Sequence, residues 1–272
     1  MLGVFGTGVT GAGFNFSRHG VPLAYLIVRV LIIALLIMLT DAEDAEADPT
    51  AETSVRVLLH RMQTRRAGQL CGYFGVVAGS FFALALWLPD YLSSQFDLPV
   101  DSGARLAQWF VIPGALAQVV GGALSDRFGS ARVIGRALVV CLIALFVLSY
   151  PPMTLFIQGV DATIRVEFAL PMPVEGVFVV TLGLAMGCTM GSLQRLVIIE
   201  NRPVAAFVAG LLLVSACSVA FALPVVFSSV NHWLGIRSAV FMILFLLLVG
   251  CLFLFARENR RHEREHLLHP GI

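Results

Sequence analysis

Lysine is absent from this chain, and all 18 of its basic residues are arginine. A lysine Schiff base and a P-loop both need a lysine amine, so both are excluded. Charge of either sign is scarce: 13% of the 272 residues are charged against 58% hydrophobic, whereas a soluble domain carries roughly a quarter charged residues. The formal net charge is +1. No basic face reaches the density that phosphate backbones need, so nucleic acid is not expected as a partner. Cys71, Cys141, Cys188, Cys217 and Cys251 stand singly in or beside apolar stretches, without a C-x-x-C pair or a histidine at ligand spacing. They read as packing residues, and no metal site is expected. His19, His60, His232, His262, His266 and His269 lie outside the apolar runs and form no catalytic dyad or triad. An enzyme therefore has no residues to stand on here, and no cofactor is implied. Met1 leads into a glycine-rich apolar run with no basic n-region or cleavage site, so no signal peptide is expected.

What is present is apolar sequence in blocks of about 20 residues, the length that crosses a bilayer core as a helix. Hydropathy places spans at Val21 to Leu39, Gly68 to Leu92, Ala104 to Leu124, Val133 to Tyr150, Val174 to Ile198, Val204 to Phe227 and Ile236 to Phe255. Leu2 to Phe16 is apolar but short and rich in glycine, either a weak further span or the remnant of one. The fold class that follows is all-α, a polytopic membrane helical bundle with the lipid bilayer as its first partner. Arginine placement orients it. If Val21 begins outside, thirteen arginines fall inside and four, Arg18, Arg105, Arg165 and Arg237, fall outside, which puts the C-terminus in the cytoplasm.

The connecting segments carry less. Asp41 to Asp48 is an acidic run, DAEDAEAD, followed by Pro49 and a basic amphipathic stretch, Val55 to Arg66; a solvated loop with an interfacial helix accounts for it. Pro151 to Pro173 is bracketed by prolines and holds no recognisable motif. The Arg, Glu and His residues of Arg257 to His269 suit a charged helix end.

The strongest local pattern is Gly121-Gly122-Ala123-Leu124-Ser125-Asp126-Arg127-Phe128-Gly129, at the inner end of one span. Glycines let helices approach closely. Asp126 and Arg127 sit where they can pair with each other or with neighbouring helix termini, and Gly129 supplies a turn. This segment resembles the G-x-x-x-D-R-x-G loop signature of the major facilitator superfamily, which makes Gly122, Asp126, Arg127 and Gly129 a candidate loop gate. Phe81 to Leu92 and Val111 to Leu116 resemble the seventh and eighth helices of the nitrate/nitrite porters of that superfamily. Ala185-Met186-Gly187 resembles their tenth, and Leu223-Pro224 the end of their eleventh.

The resemblance covers nearly the whole chain from the family's fifth helix onward, so it implies the C-terminal half of such a porter. On that register 1–40 is a remnant of the end of the N-terminal bundle, a short apolar segment plus one helix. Residues 41–67 form the cytoplasmic central loop, 68–256 the C-terminal six-helix bundle and 257–272 a charged cytoplasmic tail. Such porters hold substrate at the midplane between two bundles and rock around it. The implied function is nitrate or nitrite transport across an inner membrane as a half-transporter, with a separate N-terminal bundle polypeptide or a second copy as partner. The alternatives are a non-transporting or truncated membrane subunit, or transport of another small solute.

Departures from the family pattern fall on its substrate path. The porters have an anion-binding arginine eight residues before the loop aspartate, and this chain has Gln118 there; an amide donates hydrogen bonds but brings no charge. Val9 replaces the family's asparagine. The glycine-rich helix spanning Ala206 to Ala220 keeps Gly210 but has lost most of its other glycines, so close helix approach is not expected there. Two arginines complete the candidate path. Arg29 lies near the middle of a span, where an unpaired charge costs at least about 3 kcal/mol, and Arg195 lies beside Gln194 near the inner end of another.

Overall fold

The computed structural model describes residues 64–150, 153–158, 163–168, 171–234 and 238–268, all within one compact unit, Arg56–Ile272. The expected span Val21 to Leu39, with Arg29, and the segments Leu2 to Phe16 and Asp41 to Asp48 lie outside the described residues. Six long helices carry the rest: α1 Thr64–Gln95, α2 Val100–Phe128, α3 Ser130–Leu148, α4 Met172–Glu200, α5 Ala205–Leu234 and α6 Ala239–Leu268. Each contains a stretch long and apolar enough to cross a membrane. Each also overlaps one expected span, and most run beyond it, because polar end residues extend a helix without adding to its hydropathy.

Local chemistry sets the ends. Pro99 precedes α2 and Pro171 precedes α4, where the fixed φ of proline suits helix entry. Gly129, at φ +86°, separates α2 from α3; that left-handed conformation costs a side chain about 1 kcal/mol or more. Asn201 closes α4 by donating from Nδ2 to the Val197 carbonyl at 3.0 Å, before a 3-10 turn, Arg202–Val204, leads into α5.

The segment between α3 and α4 departs from the expected featureless loop. It is an antiparallel hairpin, β1 Met153–Gln158 with β2 Thr163–Phe168. Its register pairs Met153 with Phe168, Leu155 with Val166 and Ile157 with Ile164 on one face. The alternate pairs are Thr154 with Glu167, Phe156 with Arg165 and Gln158 with Thr163, polar but for Phe156, a near period of two that gives no run of about 20 apolar residues.

α1 and α4 form the centre of the bundle, with 67% and 61% of their apolar windows buried; α2 and α5 are the least enclosed, at 28% and 22%. α4 packs on α2, α3 and α1, while α1 packs on α5 and α2 as well. Lipid tails are as apolar as leucine, so helices associate in a bilayer through close packing and hydrogen bonds, which favours small residues at their contacts. The seam between α2 and α4 shows this. Gly183, Gly187 and Gly191 recur every fourth residue of α4 and press against the Phe110, Gly114 and Gln118 carbonyls of α2; a Cβ on Gly183 would stand 2.5 Å from the Phe110 oxygen. From α2, a Cβ on Gly121 would meet the Cys188 Cα at 2.7 Å. The two helices run parallel because α3 returns the chain between them.

The contact between α1 and α5 corrects a second expectation. Although α5 has lost its glycines, α1 supplies them: a Cβ on Gly75 would lie 2.9 Å from the Ser215 Cβ, and one on Gly79 would lie 2.5 Å from the Val219 Cβ. Ser215 adds a bond from Oγ to the Cys71 carbonyl at 3.0 Å. Gly210, the glycine that α5 retains, would meet nothing. Close approach needs a glycine on only one of two facing helices, and a single helix's sequence does not show which.

Candidate functional site

Polar side chains of α2 and α4 meet along the glycine seam in two pairs, which use consecutive residues of α4. Gln118 donates from Nε2 to Oε1 of Gln194, in the last two turns of α4, at 3.1 Å, and both side chains are half-buried. That bond uses one of the two amide N–H groups of Gln118 and leaves the Gln194 amide nitrogen free to donate. Two turns further along α2, roughly 12 Å by helix rise, Asp126 forms an ion pair with Arg195 of α4. Gln118 and Arg195, both expected on the substrate path, thus share a seam, and Arg195 directly follows Gln194, the partner of Gln118, on α4; Arg195 already has a carboxylate partner.

The loop signature is only partly placed as expected. Asp126 pairs with Arg195 of α4, neither with its neighbour Arg127 nor with a helix terminus. Adjacent residues on a helix point about 100° apart, so Arg127 is exposed in the last turn of α2, where a cation complements the helix C-terminus. Gly121, not Gly122, makes the close helix contact, since a Cβ on Gly122 would meet nothing within 4 Å. The Gly121 carbonyl accepts from Ser125 Oγ at 2.9 Å and from Ser192 Oγ of α4 at 3.0 Å. Gly129 makes the turn, as expected.

At the same end Arg66 of α1 donates to Glu200 of α4 at 2.8 Å. Sequence reading missed this pair, whose members are separated by 134 positions. Asp126 is 55% exposed and Arg195 32%, and exposed ion pairs contribute about 0–1 kcal/mol. Asp126→Asn and Arg195→Gln are therefore each expected to lower the unfolding free energy by less than about 1 kcal/mol, read by denaturant titration in micelles. A loss of several kcal/mol would mean a desolvated pair.

Sequence reading also missed Glu175, in the first turn of α4, which is only 2% exposed. A signal was present. Glu175 heads the stripe Val179, Leu182, Met186, Leu193 and Val197, whose steps of three, four and seven residues mark one helix face, and that face is the buried one.

Apolar helices packed through a glycine seam, with ion pairs gathered at one end, define a multi-pass membrane protein built as a helical bundle. A family model of the Major Facilitator Superfamily matches residues 1–224, and the chain belongs to that superfamily. Among curated proteins it is similar to the probable nitrate/nitrite antiporter NarK1 of Thermus thermophilus, with 27% identity over 241 residues, 88% of this chain and 53% of that protein. It is similar to the probable nitrate/nitrite transporter NarK2 of Mycobacterium tuberculosis (strain ATCC 25618 / H37Rv), with 26% identity over 210 residues, 72% of this chain and 51% of that protein. The nitrite extrusion protein of Bacillus subtilis (strain 168) matches over 129 residues at 23% identity, 47% of this chain and 32% of that protein. The chain spans about half the length of the first two. The family and the names of these relatives point to a transporter.

Proposed function

We propose that this chain works as one half of a nitrate/nitrite transporter, with a second helical bundle docked on the face of α2. The anion then passes the paired amides of Gln118 and Gln194. The observation that carries this reading is a mismatch between exposure and polarity. α2 is among the least buried of the six helices, yet its hydropathy is the lowest of them. A helix turned to lipid tails would be the more apolar for its exposure. Its unburied surface sets Gln108 and Ala115 among Trp109, Ile112, Leu116 and Val119, with Gln118 half-buried beside them, a mixed face that suits contact with protein. The second bundle comes from a separate polypeptide or from a second copy of this chain, and midplane binding between two bundles is how transporters of this architecture alternate access.

The orientation belongs to the same proposal. Arg127, Arg132, Arg136, Arg195, Arg202 and Arg257 gather at the Asp126 end, whereas Arg105 lies at the other; the arginine-rich end faces the cytoplasm of an inner membrane. On this reading 68–256 is the transport bundle, 41–67 and 257–272 are cytoplasmic, and Asp126 with Arg195 forms the inner gate.

Uptake of labelled nitrate and nitrite into proteoliposomes tests this, with the chain alone and with a supplied N-terminal bundle. Gln118→Ala is expected to cut uptake about tenfold or more, since a hydrogen bond to a charged group is worth about 1.5–3 kcal/mol. A second reading, a non-transporting membrane subunit, is favoured by one observation: the guanidinium beside the amide pair, that of Arg195, is already paired with Asp126, so among the described residues no unpaired cation beside Gln118 and Gln194 offsets the desolvation of an anion. Folded protein that takes up neither anion in either arrangement would establish that reading. Uptake of a different small solute with the same dependence on Gln118 would keep the path and change the cargo.

A further inference from the structure

We propose that Glu175, with Tyr91 beside it, is a proton-exchange site at the end of the bundle opposite Asp126. The inference rests on the bundle itself and is independent of which solute the chain carries. Glu175 continues the apolar stripe of α4 into the core, and its Oε1 is buried without a hydrogen-bond partner. Tyr91 of α1, itself only 2% exposed, is the titratable side chain that interacts with it among the described residues.

Three ordinary explanations for a carboxylate at that position fail. A carboxylate in the first turn of a helix commonly accepts from free backbone N–H groups. Here Pro171 and Pro173 supply none, and the amides of Val174 and Glu175 both donate to the Pro171 carbonyl, at 2.9 and 3.1 Å. A buried ion pair would need a cation. Among the described residues the charged and titratable groups at that end of the bundle are exposed: Asp90 on α1, Asp97 between α1 and α2, Asp101 and Arg105 on α2, Tyr150 after α3 and His232 on α5. Arg105 is turned away, donating from Nε to the Asp101 carbonyl. A metal ion would need more ligands than one carboxylate, and among the described residues no three His, Cys, Asp or Glu side chains come together.

An isolated carboxylate charge in a low-dielectric core is expensive enough that such groups neutralise instead. The proton is thus the ligand that this arrangement suits: it binds one carboxyl oxygen and needs no coordination shell. Exchange requires access, and Glu175, which lines no groove itself, lies beside one. Glu175 is one turn from the start of α4, and a groove of about 460 Å³ between α1, α2 and α4 is bordered by Pro173, Gly176, Leu92 and Phe96. The aromatic wall on the core side holds Tyr91 in place. Trp87 stacks on it at 4.8 Å and Phe241 of α6 meets it edge-on at 5.1 Å. Separation of the ends of α1 and α4 wets Glu175 and releases the proton to that side; reclosure takes one up.

Infrared spectroscopy of the full chain in bilayers tests the site without requiring uptake, so a failure of the transport reading and a failure of this one are told apart. At neutral pH the wild type is expected to show a protonated carboxyl stretch that is lost in Glu175→Gln, shifts in D2O and disappears as the pH is raised. Tyr91→Phe should move both its frequency and its titration midpoint. If Glu175→Gln does not fold, the same band followed in wild-type chain carrying carbon-13 glutamate, with Tyr91→Phe as the comparison, supplies the answer. A spectrum without that band shows Glu175 ionised and overturns the proposal. A band that responds neither to D2O nor to pH marks a sealed structural acid and overturns it equally. A midpoint that moves tenfold in proton concentration when sodium replaces choline would overturn it too, assigning the site to a metal cation instead.

Discussion

Replacing Gly187 with leucine is expected to leave no folded bundle. A Cβ at this position already overlaps the Gly114 carbonyl and stands 3.1 Å from the Ala117 Cβ. The obstruction is backbone, so no rotamer change relieves it; α2 must move away from α4 along the whole seam, where Gly183 and Gly191 are also tight. Overpacking in cores commonly costs about 1–3 kcal/mol even where side chains can yield, and a backbone clash stands at or above that range. Gly187→Ala should already be destabilising. Gly122→Ala is the contrasting variant: its Cβ meets nothing, and exchanging glycine for alanine within a helix is worth about 0.5–1 kcal/mol in its favour. Detergent-micelle unfolding followed by circular dichroism separates them. Equal stability of Gly187→Leu and wild type would show that α2 and α4 are not held together in this way.

Phe110→Ala should cost about 3 kcal/mol. Phe110 is fully buried where α1, α2 and α4 meet, and its ring stacks on Phe81 at 4.9 Å. In a bilayer the transfer of apolar surface contributes little, since lipid is as apolar as the core. The loss comes instead from the cavity and from contacts that Phe81 no longer makes. The surrounding backbone cannot collapse into the space, because Gly183 already rests on the Phe110 carbonyl. Phe110→Leu fills most of the volume and should lose less than half as much. A cost below about 1 kcal/mol for the alanine variant, on the scale of surface substitutions, would mean that the seam can repack.

Much of the fold was legible because a bilayer imposes a length on every helix that crosses it. All six helices of the bundle were placed from hydropathy, with most ends displaced by a few residues where polar sequence such as Thr64 to Arg66 continues the helix, and the last helix running on through its charged end to Leu268 rather than stopping at Phe255. The loop signature was legible for the same local reason: Gly129 needs its positive φ whatever surrounds it. The hairpin 153–168 was missed although its alternation is written in the chain, because the search was for long apolar runs. Glu175 was missed because a carboxylate near a helix start has an ordinary explanation, and only the two prolines and the burial of its face remove it.

The sequence by itself determined the membrane class, the positions of the helices and the superfamily, since each depends on composition and short-range pattern. Only the tertiary structure decided which glycine faces which backbone, that Asp126 takes Arg195 rather than Arg127, that Gln118 takes Gln194, and that Arg66 reaches Glu200. The last two pairs join residues 76 and 134 positions apart. One helix's sequence records its own periodicity but not the rotation at which its neighbour presents a partner, and that rotation is set by the packing of all six helices together.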